Sequence, residues 1–288
     1  MGLLQAVILG LVQGLTEFIP VSSSGHLVLI RGLFDWEDTG IAFDAFLHLG
    51  TLVAVLIYFW SIWKSLLSSL GLLVAGVFHR SLWKRLESAD LCLLLALFLG
   101  TVPALLAGYF LRGVIDGVFR DTVLVAPFLI STGLLFIVVE RGRRFFQKGS
   151  VVTQGKFGST QFEDLSWRQS LLIGLMQAIS VLPGISRSGF TIAGGIFTGL
   201  TREAAARFAF LLSGPVVLAA GILSMMDLAN RGMSEIGFPS VAVGFIVSLV
   251  SGYLAMHLML RYLRTRKLYL FAIYLIVLGV VILFINAV

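Results

Sequence analysis

One polar segment occurs twice inside otherwise apolar sequence, and it limits the possible folds more than any other feature of the chain. The first copy runs Gln13-Gly14-Leu15-Thr16-Glu17-Phe18-Ile19-Pro20-Val21-Ser22-Ser23-Ser24-Gly25-His26. The second runs Gln177-Ala178-Ile179-Ser180-Val181-Leu182-Pro183-Gly184-Ile185-Ser186-Arg187-Ser188-Gly189. A shift of 164 residues lays Gly10 on Gly174, Gln13 on Gln177, Ser22 on Ser186, Ser24 on Ser188 and Gly25 on Gly189. The same shift later carries Ala45-Phe46-Leu47 onto Ala209-Phe210-Leu211, and Gly50 onto Gly214. A register held that long argues for an internal duplication. Apolar segments interrupted by polar residues, Gly and Pro at matching places in two halves point to a site at the repeat interface, near the bilayer midplane.

The surrounding sequence supplies the membrane. Of 288 residues 58% are hydrophobic and 12% charged, against about 25% charged in a soluble domain. The fold class expected is an all-α polytopic membrane protein. Six stretches are apolar for about the 20 residues a crossing needs: 42–60, 91–111, 122–139, 205–226, 239–260 and 268–285. Two more, 3–34 and 171–200, are broken by the polar motifs and read as re-entrant helix-loop-helix hairpins. Irregular backbone at membrane depth survives only where protein buries it or where it lines a wet cavity. The short stretch 66–78 reads as an interfacial helix.

Sixteen of the 21 Lys and Arg fall in the segments 61–90, 140–170, 201–207 and 261–267, which places those segments in the cytoplasm and both termini outside. Each half then holds an odd number of crossings, so the second half is inverted relative to the first. The expected organisation is a first inverted repeat over 1–140, a cytoplasmic connector over 141–170 and a second repeat over 171–288. Each repeat has a re-entrant hairpin and three transmembrane helices. The formal net charge of +6 is accounted for by topology and gives no reason to expect a nucleic-acid partner. The one cysteine, Cys92, lies in an apolar run, so neither a disulfide framework nor a thiolate metal cluster is expected. The first residues lack the basic region and cleavage site of a signal peptide.

Glu17 and Arg187 carry the most energetic weight, because an ionisable group at membrane depth is costly unless paired or hydrated. Arg187 offers a planar fork that suits phosphate oxygens. Ser186, Ser188 and Thr191 bring hydroxyl donors, and Gly184 and Gly189 let backbone N–H groups approach a ligand. Ser22, Ser23 and Ser24 do the same in the first loop. Each serine cluster precedes an apolar run and can cap a helix whose N-terminus binds anions. Together the loops describe a cradle for a phosphate or diphosphate. Glu17 and His26 add acid/base capacity, and the serines add candidate nucleophiles. The bland readings are a structural Glu17–Arg187 pair joining the halves and serines bonded to their own helices. Asp44 and His48, four residues apart, resemble half of a metal site, but a hydrogen-bonded pair or a place on the substrate rim is the stronger reading. Gln13 and Gln177 also suit polar helix packing.

The segment from Gln13 to Glu17 fits (Glu/Gln)-x-x-x-Glu, followed by Pro20-Val-Ser-Ser-Ser-Gly-His26. The segment from Pro183 to Thr191 fits Pro-Gly-x-Ser-Arg-Ser-x-x-Thr. In these motifs and in span layout the chain resembles the undecaprenyl-diphosphate phosphatases of the bacitracin-resistance type. The resemblance implies a multi-pass hydrolase of the bacterial plasma (inner) membrane that converts undecaprenyl diphosphate to undecaprenyl phosphate and inorganic phosphate. That recycles the lipid carrier for peptidoglycan synthesis and raises bacitracin resistance. It further implies a divalent cation, Mg2+ or Ca2+, with Glu17 as the metal ligand, and a site open to the periplasm or exterior. By the same carry-over Glu17, His26, Ser23 and Arg187 are catalytic. Gln13, Ser22, Ser24, Gly184, Ser186, Ser188 and Thr191 bind the polyprenyl diphosphate. Gln13 stands where some members have glutamate, so Glu17 bears more of the chemistry. Ser, His or water can each be the attacking group, and the protein can be a monomer or a homodimer. The competing class is a secondary transporter or flippase of a polyprenyl phosphate or other anionic substrate, since broken helices at mid-depth are the signature of transporters too.

Overall fold

The computed structural model describes residues 1–36, 40–78, 88–111, 122–149, 165–231 and 237–287. Among the described residues there are eleven helices and no strands. In chain order they are α1 (Leu3–Phe18), α2 (Ser23–Leu33), α3 (Gly40–Tyr58), α4 (Trp60–Phe78), α5 (Ser88–Phe110), α6 (Thr122–Gly149), α7 (Trp167–Ile179), α8 (Arg187–Phe197), α9 (Arg202–Arg231), α10 (Phe238–Thr265) and α11 (Tyr269–Ala287).

Five helices are long and apolar enough to cross a bilayer, over Ala89–Phe110, Val123–Gly142, Arg202–Met226, Phe238–Thr265 and Tyr269–Ala287. They correspond to five of the six expected spans. The sixth, expected over 42–60, passes only as a bent pair, because α3 and α4 meet at 85°. The corner holds neither Gly nor Pro. It is fixed by Phe59, 3% exposed in the core, while its backbone N–H still bonds Val55 and its carbonyl accepts from Trp63. Helix therefore resumes at Trp60, six residues before the interfacial helix expected from 66. Two other limits also move. The helix α6 runs past 139 through Gly149, taking the start of the expected connector. The helix α7 begins at Trp167 rather than 171, because Ser166 and Gln169 form a capping box there. The rest of the connector lies mostly outside the described residues.

The two polar segments break the apolar runs where expected. The helices α1 and α2 leave residues 19–22 between them, and α7 and α8 leave 180–186. Both second helices start on a serine cap: Ser22 Oγ accepts from Gly25 N at 3.3 Å and Ser186 Oγ from Gly189 N at 3.0 Å. Such a cap satisfies a donor that water cannot reach at this depth.

Helix pairing follows the 164-residue shift. The helix α1 packs on α10 as α7 packs on α5, and α10 packs on α3 as α5 packs on α9. Small residues make these crossings close. A Cβ on Gly10 would lie 2.7 Å from Gly244 O, and one on Gly174 would lie 2.8 Å from Gly100 Cα. Without a hydrophobic drive between helices in lipid, such close backbone packing supplies much of the association. Behind both hairpin tips stands α6: Gly25 rests on Val125 and Leu129, Gly184 on Val125 and Phe128, and Gly189 on Phe136. Further along α6, Glu140 takes both Nε and Nη2 of Arg202 and accepts from Leu268 N at 3.0 Å. One buried carboxylate thus ties α6, α9 and the start of α11.

Gly14 sits where α1 crosses α10, and a Cβ there would lie 2.0 Å from Ser251 Oγ and 2.6 Å from Ser248 O. Gly14→Ala is expected to lower stability by about 1–3 kcal/mol through overpacking. Gly71→Ala, with nothing within 4 Å, is expected to leave it unchanged or slightly higher. Thermal unfolding of both variants in detergent checks the pair.

Candidate active site

The tips of the two hairpins meet. Gly184 N donates to Ser24 Oγ at 3.4 Å, across 160 residues of sequence. Gly184 has φ +87°, a left-handed conformation that only glycine adopts without strain. Ser22 adopts φ +72° without that freedom. A strained non-glycine residue of this kind persists where surrounding structure over-determines it, as at ligand clamps. Each cap serine also pairs with the serine two residues on, Ser22 with Ser24 at 3.5 Å and Ser186 with Ser188 at 3.3 Å.

Between the tips lies a cavity of about 200 Å³. The first loop contributes Thr16, Glu17, Ser23 and Ser24, and the second contributes Gln177, Ser180, Ser186, Arg187 and Ser188. His48 enters from α3, and Ala104, Val181, Leu182, Ile185 and Val216 make the apolar wall. Ala104 and Val216 each follow a proline within a helix, Pro103 in α5 and Pro215 in α9. The first residues of α2 and α8, Ser23, Ser24, Arg187 and Ser188, therefore line one space. Two helix N-termini favour an anion there.

Glu17 is the hub. It is 8% exposed, and polar side chains of α1, α2 and α8 converge on its carboxylate. Arg187 Nη2 donates to Oε1. Ser23 Oγ donates to Oε2 at 2.7 Å, and Gln13 Nε2 donates to the same oxygen at 2.9 Å. His48 Nε2 stands 3.7 Å from Oε2. The other ring nitrogen of His48, Nδ1, lies 2.8 Å or less from a backbone carbonyl, that of Asp44 at 2.7 Å. A carbonyl only accepts, so Nδ1 carries the proton and Nε2 faces the carboxylate. Asp44 is in turn held by both Nη atoms of Arg31.

The sequence-derived residues divide into two groups. Glu17, Ser23, Ser24, Ser186, Arg187 and Ser188 come together around the cavity. Gln13, Ser22, Gly184 and Thr191 support it from behind. Gln13 fixes Glu17, Ser22 caps α2, Gly184 shapes the tip, and Thr191 Oγ1 bonds its own helix at Arg187 O, 2.7 Å. His26 is turned away. Its Nδ1 donates to Ser22 O at 2.8 Å, and its Nε2 accepts from Tyr274 OH at 2.6 Å, with the rings stacked. His48 takes the place near the carboxylate that the serine-loop motif suggested for His26. The Asp44/His48 spacing was a visible signal of a shared helix face, but not of its direction. Ser180 and Thr16 line the cavity without a motif to announce them.

Among the described residues no group of three or more His, Cys, Asp or Glu is placed to hold a metal ion. Glu17 is the carboxylate of the cavity, and the other oxygens around it are hydroxyls and an amide. Such a donor set matches a hard cation that keeps waters and takes substrate phosphate oxygens, rather than an all-protein cage.

Removing Arg187 strands Glu17 among apolar helices. Arg187→Ala is expected to cost about 3–5 kcal/mol of stability, and adding Glu17→Gln is expected to recover most of it. Thermal unfolding of the single and double variants reads this coupling directly.

A family model described as bacitracin resistance protein BacA matches residues 6–281. A protein of Methanosphaera stadtmanae named undecaprenyl-diphosphatase is 39% identical over 285 residues, covering 97% of this chain and 96% of its own. Proteins of the same name from Chlorobaculum tepidum and Thermomicrobium roseum are each 38% identical. They cover 97% and 98% of this chain, and 95% and 98% of their own.

Proposed function

The chain belongs to the bacitracin resistance protein BacA family, and from that membership and the cavity geometry we propose that it hydrolyses undecaprenyl diphosphate to undecaprenyl phosphate and inorganic phosphate. The observation that carries the proposal is the Ser23–Glu17–Arg187 constellation, a hydroxyl, a base and a phosphate fork on one carboxylate. A cavity of about 200 Å³ suits a diphosphate head group, and the undecaprenyl chain stays in the bilayer beside it.

In this reading the diphosphate takes Arg187 from Glu17 and settles against the N–H groups and serine hydroxyls at the starts of α2 and α8. Ser23 Oγ, already bonded to Glu17, is placed to attack the terminal phosphorus. Glu17 accepts the proton, a phosphorus–oxygen bond forms to Ser23, and the bond to the bridging oxygen breaks. Undecaprenyl phosphate leaves as its monoanion, carrying off the proton that Glu17 took from Ser23, so the carboxylate is free again. Water then attacks the phosphoserine, its proton passes to Glu17, and the bond to Ser23 breaks with the serine oxygen reprotonated from Glu17. Positioning and charge stabilisation supply most of the rate in such transfers. Gln13 holds the carboxylate in register and His48 stands close enough to exchange a proton with the site. Glu17 would also be the protein carboxylate for Mg2+ or Ca2+, which supplies positive charge against the developing phosphate charge.

The two halves are read as inverted repeats, supported by the mirrored pairing of α1–α10 with α7–α5. The basic segments lie in the cytoplasm of the bacterial plasma membrane, and the site opens to the outer face. A Ser–Glu pair in hydrogen-bond contact favours phosphoryl transfer over transport, which needs no nucleophile.

The test is inorganic phosphate release from undecaprenyl diphosphate by protein in detergent, where no transmembrane gradient exists. Wild-type protein is expected to release phosphate with Mg2+ or Ca2+ and to stop with chelator. Ser23→Ala and Glu17→Gln are expected to fall by roughly 10²-fold or more. Folded wild-type protein that releases none would transfer the reading to lipid transport.

A further inference from the structure

Gln177, in the wall of a cavity suited to an acceptor-rich ligand, carries a buried acceptor with no partner. It is 1% exposed and lines the cavity. Its Nε2 donates to Gly100 O at 3.1 Å. That carbonyl can only accept, so the amide orientation is fixed and Oε1 is the atom left over. Gln177 Oε1 is buried with no hydrogen-bond partner, a condition that costs the full desolvation of the group. The crossing that creates this arrangement is the tight one, where Gly174 lies against Gly100. At the equivalent place in the first half, Gln13 Oε1 is likewise buried without a partner, but Gln13 gives its Nε2 to Glu17 and stays out of the cavity lining. The two glutamines that the repeat superposes therefore do different work.

A diphosphate carries oxygens that accept hydrogen bonds and bear negative charge. Set against a bare carbonyl, they repel unless a positive or donating group stands between. Charge points the same way. Among the described residues lining the cavity, Arg187 is the permanent cation, and it already neutralises Glu17. A diphosphate arriving there leaves the site anionic in apolar surroundings, which is unfavourable without a counter-charge. Hard divalent cations take carbonyl oxygens of Asn and Gln together with phosphate oxygens and water.

We propose that Gln177 Oε1 is a protein ligand for a divalent cation that enters with the diphosphate and bridges the second hairpin to the phosphate oxygens. The proposal rests on the diphosphate reading of the cavity. It assigns the second repeat a role in metal binding, and not only in holding the anion through Arg187.

The experiment uses Mn2+ as the cation and methylenediphosphonate, which is not hydrolysed, as the anion. Mn2+ binding to detergent-solubilised protein is followed by the loss of the free-ion paramagnetic resonance signal, with and without the diphosphonate. Wild-type protein is expected to bind Mn2+ in the presence of the diphosphonate. Gln177→Leu should bind it roughly tenfold more weakly or worse. Gln177→Glu, which keeps an oxygen and adds charge, should bind Mn2+ at least as tightly as wild type. It decides the matter if the leucine variant does not fold. Wild-type Mn2+ affinity in Gln177→Leu, weakened affinity in Gln177→Glu, or no Mn2+ binding by wild type would each overturn the proposal. Phosphate release by the wild-type protein is measured separately, so a failed phosphatase reading shows as no release with Gln177-dependent Mn2+ binding intact.

Discussion

A carboxylate inside an apolar bundle has to find a cation, and most of this structure can be understood from how Glu17 finds Arg187. The two residues sit in different halves of the chain, 170 positions apart. Bringing them together requires both hairpins to end at the same depth with their tips in contact. Isolated, either charge would be expelled or neutralised; together they hold the tips face to face. In the proposed function an arriving phosphate would compete for the same guanidinium, so that a strong structural contact and a ligand site would share the same atoms.

The surrounding helices make that meeting possible. Tips of irregular backbone survive at depth only if their polar groups are satisfied. Here serine caps and the Gly184–Ser24 bond do so, with α6 as the wall behind both. Close Gly crossings fix α1 on α10 and α7 on α5, and so fix the height of Glu17 and Gln177. The buried Glu140–Arg202 pair performs a similar tie on a different part of the bundle, but its carboxylate is spent on Arg202 and on the start of α11. That contrast marks the difference between a charge pair that only stabilises and one that lines a cavity.

Much of this was legible in the residues. The hairpins announce themselves because Ser-x-Ser-Gly after a broken apolar run leaves little alternative to a capped helix, and α2 and α8 begin within a residue of that signal. Five of the six spans follow from length and hydropathy alone. The corner at Phe59 was not legible, since it is set by burial of one side chain and not by Gly or Pro. Nor was the direction of His26. Adjacency to the serine loop suggested the site, but its helix turns the ring toward Tyr274, a partner 248 residues away. His48 had the opposite fate: its pairing with Asp44 was visible, while its approach to Glu17 depends on how α3 packs. Local chemistry can be read from sequence, but the face a helix presents at a long-range contact is set by packing.

Both hairpin tips line one cavity, and its proposed capacity to take a diphosphate makes their proximity and their protection by an anion a single question. It is tested most directly by replacing Cys92 with serine, placing cysteines at Ser23 and Ser188, and treating native membranes with a short bifunctional thiol reagent. An intramolecular bridge between the two positions is expected, blocked when methylenediphosphonate is present. Single labelling at each cysteine with no bridge, and no protection by the anion, would contradict it.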